Sequence, residues 1–301
     1  MSNKAYNESS IQAIANAIRD KNGSSDTYTV AQMAAAINNI STGVNGADFL
    51  VPTGVDPSTG LGELDLSDAR NSEGRPVINI RAYAFNQCNY NKVLLPRTAQ
   101  SLGNNCFLAS KALEEVVLYD SVTSIGENAF SGCDSVDIDH LPNNMTFIGA
   151  NAFKGCFNLT LDNLPTGARL TLGANAFQGT GITITEVPAN IDIANYAQIF
   201  RSCDSIHTIK IKVAAMYRTT FMGCTNLTKA WISNNCQTIS CAGQASWSPF
   251  SGCTSLTDIY CEASEAPAGW GPAFANTSSS TQATVHWGVS ESDFDQIIGG
   301  E

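Results

Sequence analysis

The sequence is poor in the residues from which enzymes build catalytic sites. Its 301 residues include only three histidines, His140, His207 and His286. The local signatures of serine hydrolases, zinc peptidases and phosphate-binding loops are absent. The glycines follow a repeat, which is typical of turns rather than of a loop that cradles phosphate. The sequence therefore predicts a protein without enzymatic activity and indicates no cofactor.

Positive charge is also scarce. Lys and Arg together number 16 against 27 Asp and Glu, which gives a net charge of −11, and the basic residues form no cluster. An acidic surface repels the phosphates of nucleic acids and the headgroups of anionic membranes. We therefore expect neither as a partner.

Long hydrophobic runs are missing as well. No apolar run reaches the roughly 18 residues that a membrane-spanning helix needs. The first ten residues, MSNKAYNESS, lack the apolar segment of a secretory signal peptide. We expect synthesis in a cytoplasm, no membrane insertion and no export by the usual route.

What the sequence has instead is a repeat. The stretch IGENAFSGCDSV at 125–136 returns as IGANAFKGCFNL at 148–159. A phenylalanine in similar surroundings recurs about every 23 residues through most of the chain. The recurring residues are Phe85, Phe107, Phe130, Phe153, Phe177, Phe200, Phe221, Phe250 and Phe274.

A unit of this length is too short to enclose its own core, so the copies must stack into a solenoid. One short parallel strand in each unit is expected to form a sheet along one face, with the Phe rings stacked inside. Gly126, Gly149 and Gly173 are expected to adopt an unusual backbone angle. The predicted fold class is a repeat solenoid, mainly β, with about nine coils.

The cysteines follow the same repeat. Six of the ten occupy the slot three residues after the Phe, which holds Ser or Thr in other units. This pattern predicts buried thiols, although disulfides between adjacent slots stay open as an alternative. Cys236 and Cys241 lie outside the slot, with neither a second pair nor a nearby His for zinc. Asp134, Asp137 and Asp139 could attract Ca²⁺, but neighbouring units do not repeat them, which favours a solvated face.

The repeat resembles the BspA-like leucine-rich repeat family. The likeness rests on the pattern I-G-x-N-A-F-x-G-C-x-x-L/V and a later L-P, clearest at 125–142 and 148–165. It covers residues 78–285, with residues 43–77 as a linker and irregular first coil. Residues 286–301 are expected to form a C-terminal cap, with a last strand and a short helix that cover the open edge. The resemblance implies a parallel-strand solenoid and a surface adhesin or interaction module.

Residues 1–42 are predicted to form a small α-hairpin. Apolar residues recur at helical spacing on both segments, and each segment is too short to be stable alone in water. We expect the hairpin to dock onto other copies of this chain, a second protein or the end of the solenoid. The stripes include Ile11, Ile14, Ile18, Met33 and Ile37.

The hairpin also resembles a short module of bacteriophage tail and other structural proteins. The likeness rests on I-A-N-A-I-R-x-K-N-G-x-S-D-x-Y-T at 14–29 and A-x-M-A-A-A-I at 31–37. It implies an oligomeric virion structural or attachment protein, anchored to other virion proteins or to itself, whose repeats contact a host protein or glycan. The alternatives are a hairpin that merely shields the first repeat, and a BspA-like adhesin on a bacterial cell surface.

One strand slot, ten residues after the Phe, is expected to point outward. It holds His140 in an early coil and Lys210, Trp231 and Tyr260 in late ones. Together with Trp247 from an inserted loop, these residues could form an aromatic patch for a partner protein or a sugar ring. Alternatively, the aromatic residues pack beneath the inserted loop or within an oligomer.

Overall fold

The structure, a computed structural model, describes residues 62–70, 74–193, 198–241 and 243–300. The hairpin predicted for residues 1–42 lies outside these residues, as does most of the linker that follows it.

These residues form a parallel β-solenoid of about nine coils, which confirms the predicted fold class. Coils contribute up to two short strands, whereas the sequence predicts only one. The two strands lie on different faces, and every strand pairs in parallel with its counterpart in a neighbouring coil. We call the two faces the front row and the back row.

The front row contains the strands that follow the recurring Phe and one earlier strand, which pairs with the first of them. It comprises β1 (Gly62–Asp65), β3 (Tyr90–Leu94), β5 (Glu115–Val117), β9 (Glu186–Val187), β11 (Thr208–Ile211), β13 (Lys229–Ile232), β15 (Asp258–Cys261) and β17 (Thr284–Trp287). The first three strands form one sheet and the other five form a second sheet.

The back row contains the strands that precede the Phe. It comprises β2 (Asn79–Ile80), β4 (Ser101–Leu102), β6 (Ser124–Ile125), β7 (Phe147–Ile148), β8 (Leu170–Leu172), β10 (Ile191–Ile193), β12 (Ala215–Tyr217), β14 (Thr238–Ser240) and β16 (Gly269–Trp270). The first six strands form one sheet and the last three form another.

The front row lapses between β5 and β9, where only a bridge between Glu115 and Asp137 is present. There a side chain replaces the backbone as acceptor, because Oδ1 of Asp137 accepts the backbone N–H of Thr160 at 3.2 Å. One coil further on, the N–H of Thr183 donates to the carbonyl of Leu161 at 2.8 Å. The coils therefore stay tied together without a continuous sheet.

The interior is organised around the predicted phenylalanine column. Eight of the nine rings stack, with centroids 5.0–5.8 Å apart and interplanar angles of 3–17°. Rings at this spacing contribute beyond the area that they bury. The ninth ring, Phe274, packs instead against Trp270 at 4.9 Å and Trp287 at 6.1 Å.

The glycines before the Phe have a different role from the one predicted. Gly126, Gly149 and Gly173 are not among the residues with positive φ. At Gly149 a Cβ atom would lie 2.5 Å from the backbone nitrogen of Glu127, so the glycine allows adjacent coils to approach closely. The left-handed conformation falls two residues later on asparagine, as at Asn151 with φ of 54°, a residue that tolerates it.

The cysteines are free thiols, and all ten are buried. In the repeat slot, the S–H group donates to the carbonyl of a Phe in the preceding coil, for example from Cys156 to Phe130 at 3.1 Å. Ser110 does the same with its hydroxyl, to Phe85 at 2.8 Å. Burial raises the pKa of the Cys133 thiol to about 12, so the slot holds a weak donor rather than a reactive thiolate.

The chain ends with the two elements expected there, β17 and a helix, α1 (Glu291–Gly299). The sequence predicts that this helix covers the open edge of the sheet, but its main apolar contact lies elsewhere. It lies on the outer face of the front row, because its buried Phe294 meets Trp231 and Tyr260 of β13 and β15. The inserted loop is also partly regular, since it contributes β14 and a 3₁₀ turn, Ala245–Trp247.

Candidate functional site

The candidate site is the outer face of the front row. Along β11, alternate residues point inward, where Ile209 and Ile211 are buried, and outward, where Thr208 and Lys210 are partly exposed. This alternation is intrinsic to a strand. The solenoid thus leaves one set of front-row side chains for contacts outside its core.

In the late coils, the outward positions align in one row. Lys210 pairs in register with Trp231, Trp231 with Tyr260, and Tyr260 with His286. The rings of Tyr260 and His286 stack at 4.6 Å. The row therefore presents a cation, two large aromatic side chains and an imidazole on adjacent strands.

Helix α1 covers this row. It begins where Ser290 caps it, with Oγ accepting the N–H of Asp293 at 3.2 Å. This Ser-x-x-Asp spacing and the acidic residues Glu291 and Asp293 in the first turn favour a helix start. A helix of nine residues is not stable alone in water, so its contacts with the sheet must hold it.

The apolar contact centres on Phe294, which is fully buried. Its ring lies 5.4 Å from that of Tyr260, and Trp231 shares the same cluster. The indole N–H of Trp231 donates to the carbonyl of Val289 at 2.9 Å. Burying a Phe side chain contributes about 1.5–3 kcal/mol, which is the scale of the apolar part of this docking.

Ion pairs flank the apolar contact. Nζ of Lys210 lies 2.9 Å from Glu291 and 3.1 Å from Asp295, and Nζ of Lys212 lies 2.8 Å from Glu291. Hydrogen bonds from Lys212 and then Lys210 hold the pKa of Glu291 below its ordinary value. Burial acts to lower the pKa of Lys210, but the hydrogen bonds to Glu291 and Asp295 outweigh it and raise that pKa.

A histidine–carboxylate pair lies at the end of the row. Nε2 of His286 is 2.8 Å from Oδ1 of Asp258, and this hydrogen bond is the main reason that the pKa of Asp258 is lowered. The other carboxylate oxygen of Asp258 accepts the hydroxyl of Thr257 at 2.7 Å. The pair links β15 to β17, and both of its carboxylate oxygens are engaged within the fold.

The predicted site residues do not form one exposed patch. Trp231 and Tyr260 are brought together with Lys210, but beneath α1, where Trp231 is only 1% exposed. Trp247 lies apart from them, in the 3₁₀ turn, with the guanidinium of Arg218 4.7 Å above its ring. The aromatic residues thus pack beneath the terminal helix rather than beneath the inserted loop. Binding of a partner by this face stays a prediction.

His140 lies elsewhere, in the stretch where the front row lapses. It is exposed and lines a shallow depression of about 430 Å³ together with Asn163 and Thr166. The floor is held by Asn143, whose Oδ1 accepts the backbone N–H groups of Thr166 and Gly167, each at 2.9 Å. Its lining mixes polar residues with Leu141, Leu164 and Pro165 and includes no Phe, Tyr or Trp.

The early strands β1, β3 and β5 have no helix on their outer face among the described residues, and we call this face the open half. Lys92 stands between two carboxylates, 3.1 Å from Glu115 and 3.9 Å from Glu63. Leu94 and Val117, in register on β3 and β5, are partly exposed beside them. We call the face beneath α1 the covered half.

Two of the three aspartates considered for Ca²⁺ are engaged with adjacent coils. Asp134 pairs with Lys111 at 3.0 Å, and Asp137 accepts from Thr160. Within residues 62–70, 74–193, 198–241 and 243–300, no group of three or more His, Cys, Asp or Glu is placed to hold a metal ion. Over the same ranges, no helix combines the length and apolar character needed to cross a membrane.

The sequence predicts the short terminal helix but does not place it, or Lys212, at the site. Phe294, Glu291 and Lys212 complete the covered half, yet none of them was assigned to it. A signal was present: Ser290 with Asp293 makes a helix start, and Phe294 with Ile297 and Ile298 gives that short helix one apolar face. An apolar face on a terminal helix indicates that the helix docks onto something.

The parallel strands, the stacked coils and the recurring apolar slots define a leucine-rich repeat solenoid. A family model described as "BspA type Leucine rich repeat region" matches residues 78–198 and 196–264 in six copies. These residues make up more than half of the chain, and the chain belongs to this family. The match begins at residue 78 and so does not include the N-terminal segment.

Solved structures of leucine-rich repeat proteins are similar to this chain at low identity. One from Bacteroides ovatus ATCC 8483 is 24% identical, with a TM-score of 0.49 over 61% of this chain and 52% of its own. One from T. pallidum is 22% identical, with a TM-score of 0.46 over 59% and 82%. A leucine rich cell surface protein from Faecalibacterium prausnitzii A2-165 is 16% identical, with a TM-score of 0.41 over 79% and 90%.

The chain spans about half the length of the B. ovatus protein. Comparison with curated protein sequences finds no match. The family assignment therefore rests on the repeat model alone.

Proposed function

We propose that the protein is a non-enzymatic interaction module of the BspA type that binds another protein through the outer face of its front row, at a bacterial cell surface. One observation carries this proposal: the covered half holds a helix by a buried aromatic residue flanked by ion pairs. This combination of an aromatic anchor and a charged rim is typical of protein-binding surfaces.

Among the described residues, the open half is the part of this face that no helix covers. Its side chains are already ordered by the sheet, which lowers the entropic cost of binding. Glu63 and Glu115 flank a single lysine there, and Asp139 in the next coil is exposed. The excess of negative charge favours a partner with a basic surface.

Crosslinking in intact cells that make the protein tests this proposal. A photoreactive residue is placed at position 115 in the open half, and a matched one at the exposed position 265 outside it. We expect a crosslinked protein partner from position 115 but not from position 265, with surface labelling of unpermeabilised cells. Equal crosslinking from both positions, or labelling only after permeabilisation, would contradict the proposal.

A second candidate function is a structural or attachment role in a bacteriophage virion. It is supported by the sequence at 14–29 and 31–37, which resembles the phage module and lies outside the described residues. In this case the N-terminal segment anchors the chain to other virion proteins or to its own copies, and the repeats project outward. Mass spectrometry of purified phage particles tests this function, and absence of the chain from the particles would contradict it.

A further inference from the structure

The covered half is a separate hydrophobic unit. Trp231, Tyr260 and Phe294 form a cluster of their own, distinct from the main core of the solenoid. The inward residues of the same strands, such as Ala230 and Ile259, belong to the main core instead. Removing α1 from the sheet would therefore uncover the outer cluster while leaving the coil interior closed.

The connection to α1 is short. Only Gly288, Val289 and Ser290 separate β17 from the helix. Gly288 has a φ of 72°, and a Cβ placed on it would meet nothing within 4 Å. This left-handed turn, which favours glycine, leads the chain from β17 back over the outer face of the front row.

The groove beneath α1 recognises a defined pattern. Lys210 binds carboxylates at positions 291 and 295, which are one helical turn apart and so lie on one side of the helix, while Phe294 packs on the aromatic residues of the sheet. The indole of Trp231 binds the backbone carbonyl just before the helix. The groove thus fits a helix start with acidic residues on one side and an aromatic anchor.

We infer that the covered half is a helix-binding site and that α1 is its releasable intramolecular occupant. The partner of this site is an acidic helical segment of another protein with the pattern Glu-x-x-Phe-Asp, which competes with α1. The inference rests on the proposed function only in using the same face of the front row. Because α1 is tethered, its effective concentration at the groove is high, so only a segment that binds the groove tightly displaces it.

Binding of a labelled peptide tests the inference. The probe is a fluorescein-labelled peptide of residues 288–300, titrated by anisotropy against the full chain. In the Phe294→Asp chain, the internal helix loses its anchor and the groove is free. We expect this variant to bind the peptide about tenfold or more tightly than the unaltered chain, because its competent state is more populated.

Matched variants separate groove binding from nonspecific exposure. Phe294→Leu keeps an apolar anchor and should bind the peptide as weakly as the unaltered chain. Adding Lys210→Glu to Phe294→Asp should abolish binding, and so should replacing Phe by Ala in the peptide. Should Phe294→Asp not fold, Glu291→Lys opens the groove by repulsion from Lys210 and Lys212 and gives the same readout.

Two results would overturn the inference. One is a folded Phe294→Asp chain that does not bind the peptide. The other is binding that survives Lys210→Glu. Neither result concerns the cellular partner of the open half, so the failure of this inference and the failure of the proposed function are distinguishable.

Discussion

The protein contains two aromatic assemblies that are built in different ways. The phenylalanine column repeats one residue type at one slot, and neighbouring coils bring its rings into register. The outer cluster joins Trp231 and Tyr260, which share one outward strand slot, with Phe294 from a helix outside the repeat. The contrast teaches that one slot of the repeat builds the scaffold by recurring in every coil, while the outer cluster needs two large aromatic residues in adjacent coils and a helix from outside the repeat.

Among single substitutions, the largest loss of unfolding free energy is expected in the phenylalanine column. Replacing Phe153 by Ala removes a fully buried ring that stacks on both Phe130 and Phe177. Cores that lose a Phe in this way are destabilised by about 3–5 kcal/mol. Denaturant unfolding monitored by circular dichroism should show a loss of this size.

The matched control for this substitution is Phe157→Ala. This side chain belongs to the same coil but is 64% exposed, so its loss should change the free energy of unfolding by about 0.5 kcal/mol or less. Similar losses for Phe153→Ala and Phe157→Ala would mean that the column is not the scaffold.

A smaller loss of unfolding free energy is expected when a side chain is added where adjacent coils approach closely. The Cβ of Gly149→Ala would meet the backbone of Glu127 at 2.5 Å, so the coils must move apart. Overpacking of this kind costs about 1–3 kcal/mol, measurable by the same unfolding experiment. Gly299→Ala, in the open space around α1, serves as the control and should not lower stability.

The smallest effect concerns the charges that flank the outer cluster. The pKa of Glu291 lies below its ordinary value of 4.5, so its contribution to docking is present above pH 4.5 and is lost as the pH falls through the lowered pKa. The raised pKa values of Lys210 and Lys212 add a contribution that is lost only at strongly alkaline pH. Acidification should therefore loosen α1.

The indole N–H signal of Trp231 in a nitrogen-15 NMR spectrum measures this loosening, because that group binds the carbonyl of Val289. The chemical shift of this signal should change as the pH falls below 4.5, and Glu291→Gln should remove most of that change. A signal that moves equally in both proteins would assign the effect to another group.

Much of the fold could be predicted because it depends on residues that are close in sequence. The period, the stacked Phe residues and the free thiols all follow from residues at fixed spacing within one or two units. The function of the glycines before the Phe could not be predicted in the same way. A close approach between coils, as at Gly149, and a positive φ both favour glycine, and one sequence does not distinguish them.

The covered half was harder to predict because its contacts are distant in sequence. The slot that contains Trp231 and Tyr260 does point outward, as the strand alternation indicates. The residue that covers it, Phe294, lies outside the repeat, and only the packing of a terminal helix brings it there. The alternation of a strand predicts which side chains point away from the core, but it does not predict which element packs against them.

Hydrogen exchange of the full chain tests most directly whether the outer cluster opens independently of the scaffold. We predict that the amides of residues 291–299 exchange through a local opening, while those of coils 125–177 exchange only on global unfolding. Phe294→Ala should accelerate exchange in the first group and leave the second unchanged. Exchange of both groups at one common free energy, or acceleration of both by Phe294→Ala, would contradict this account.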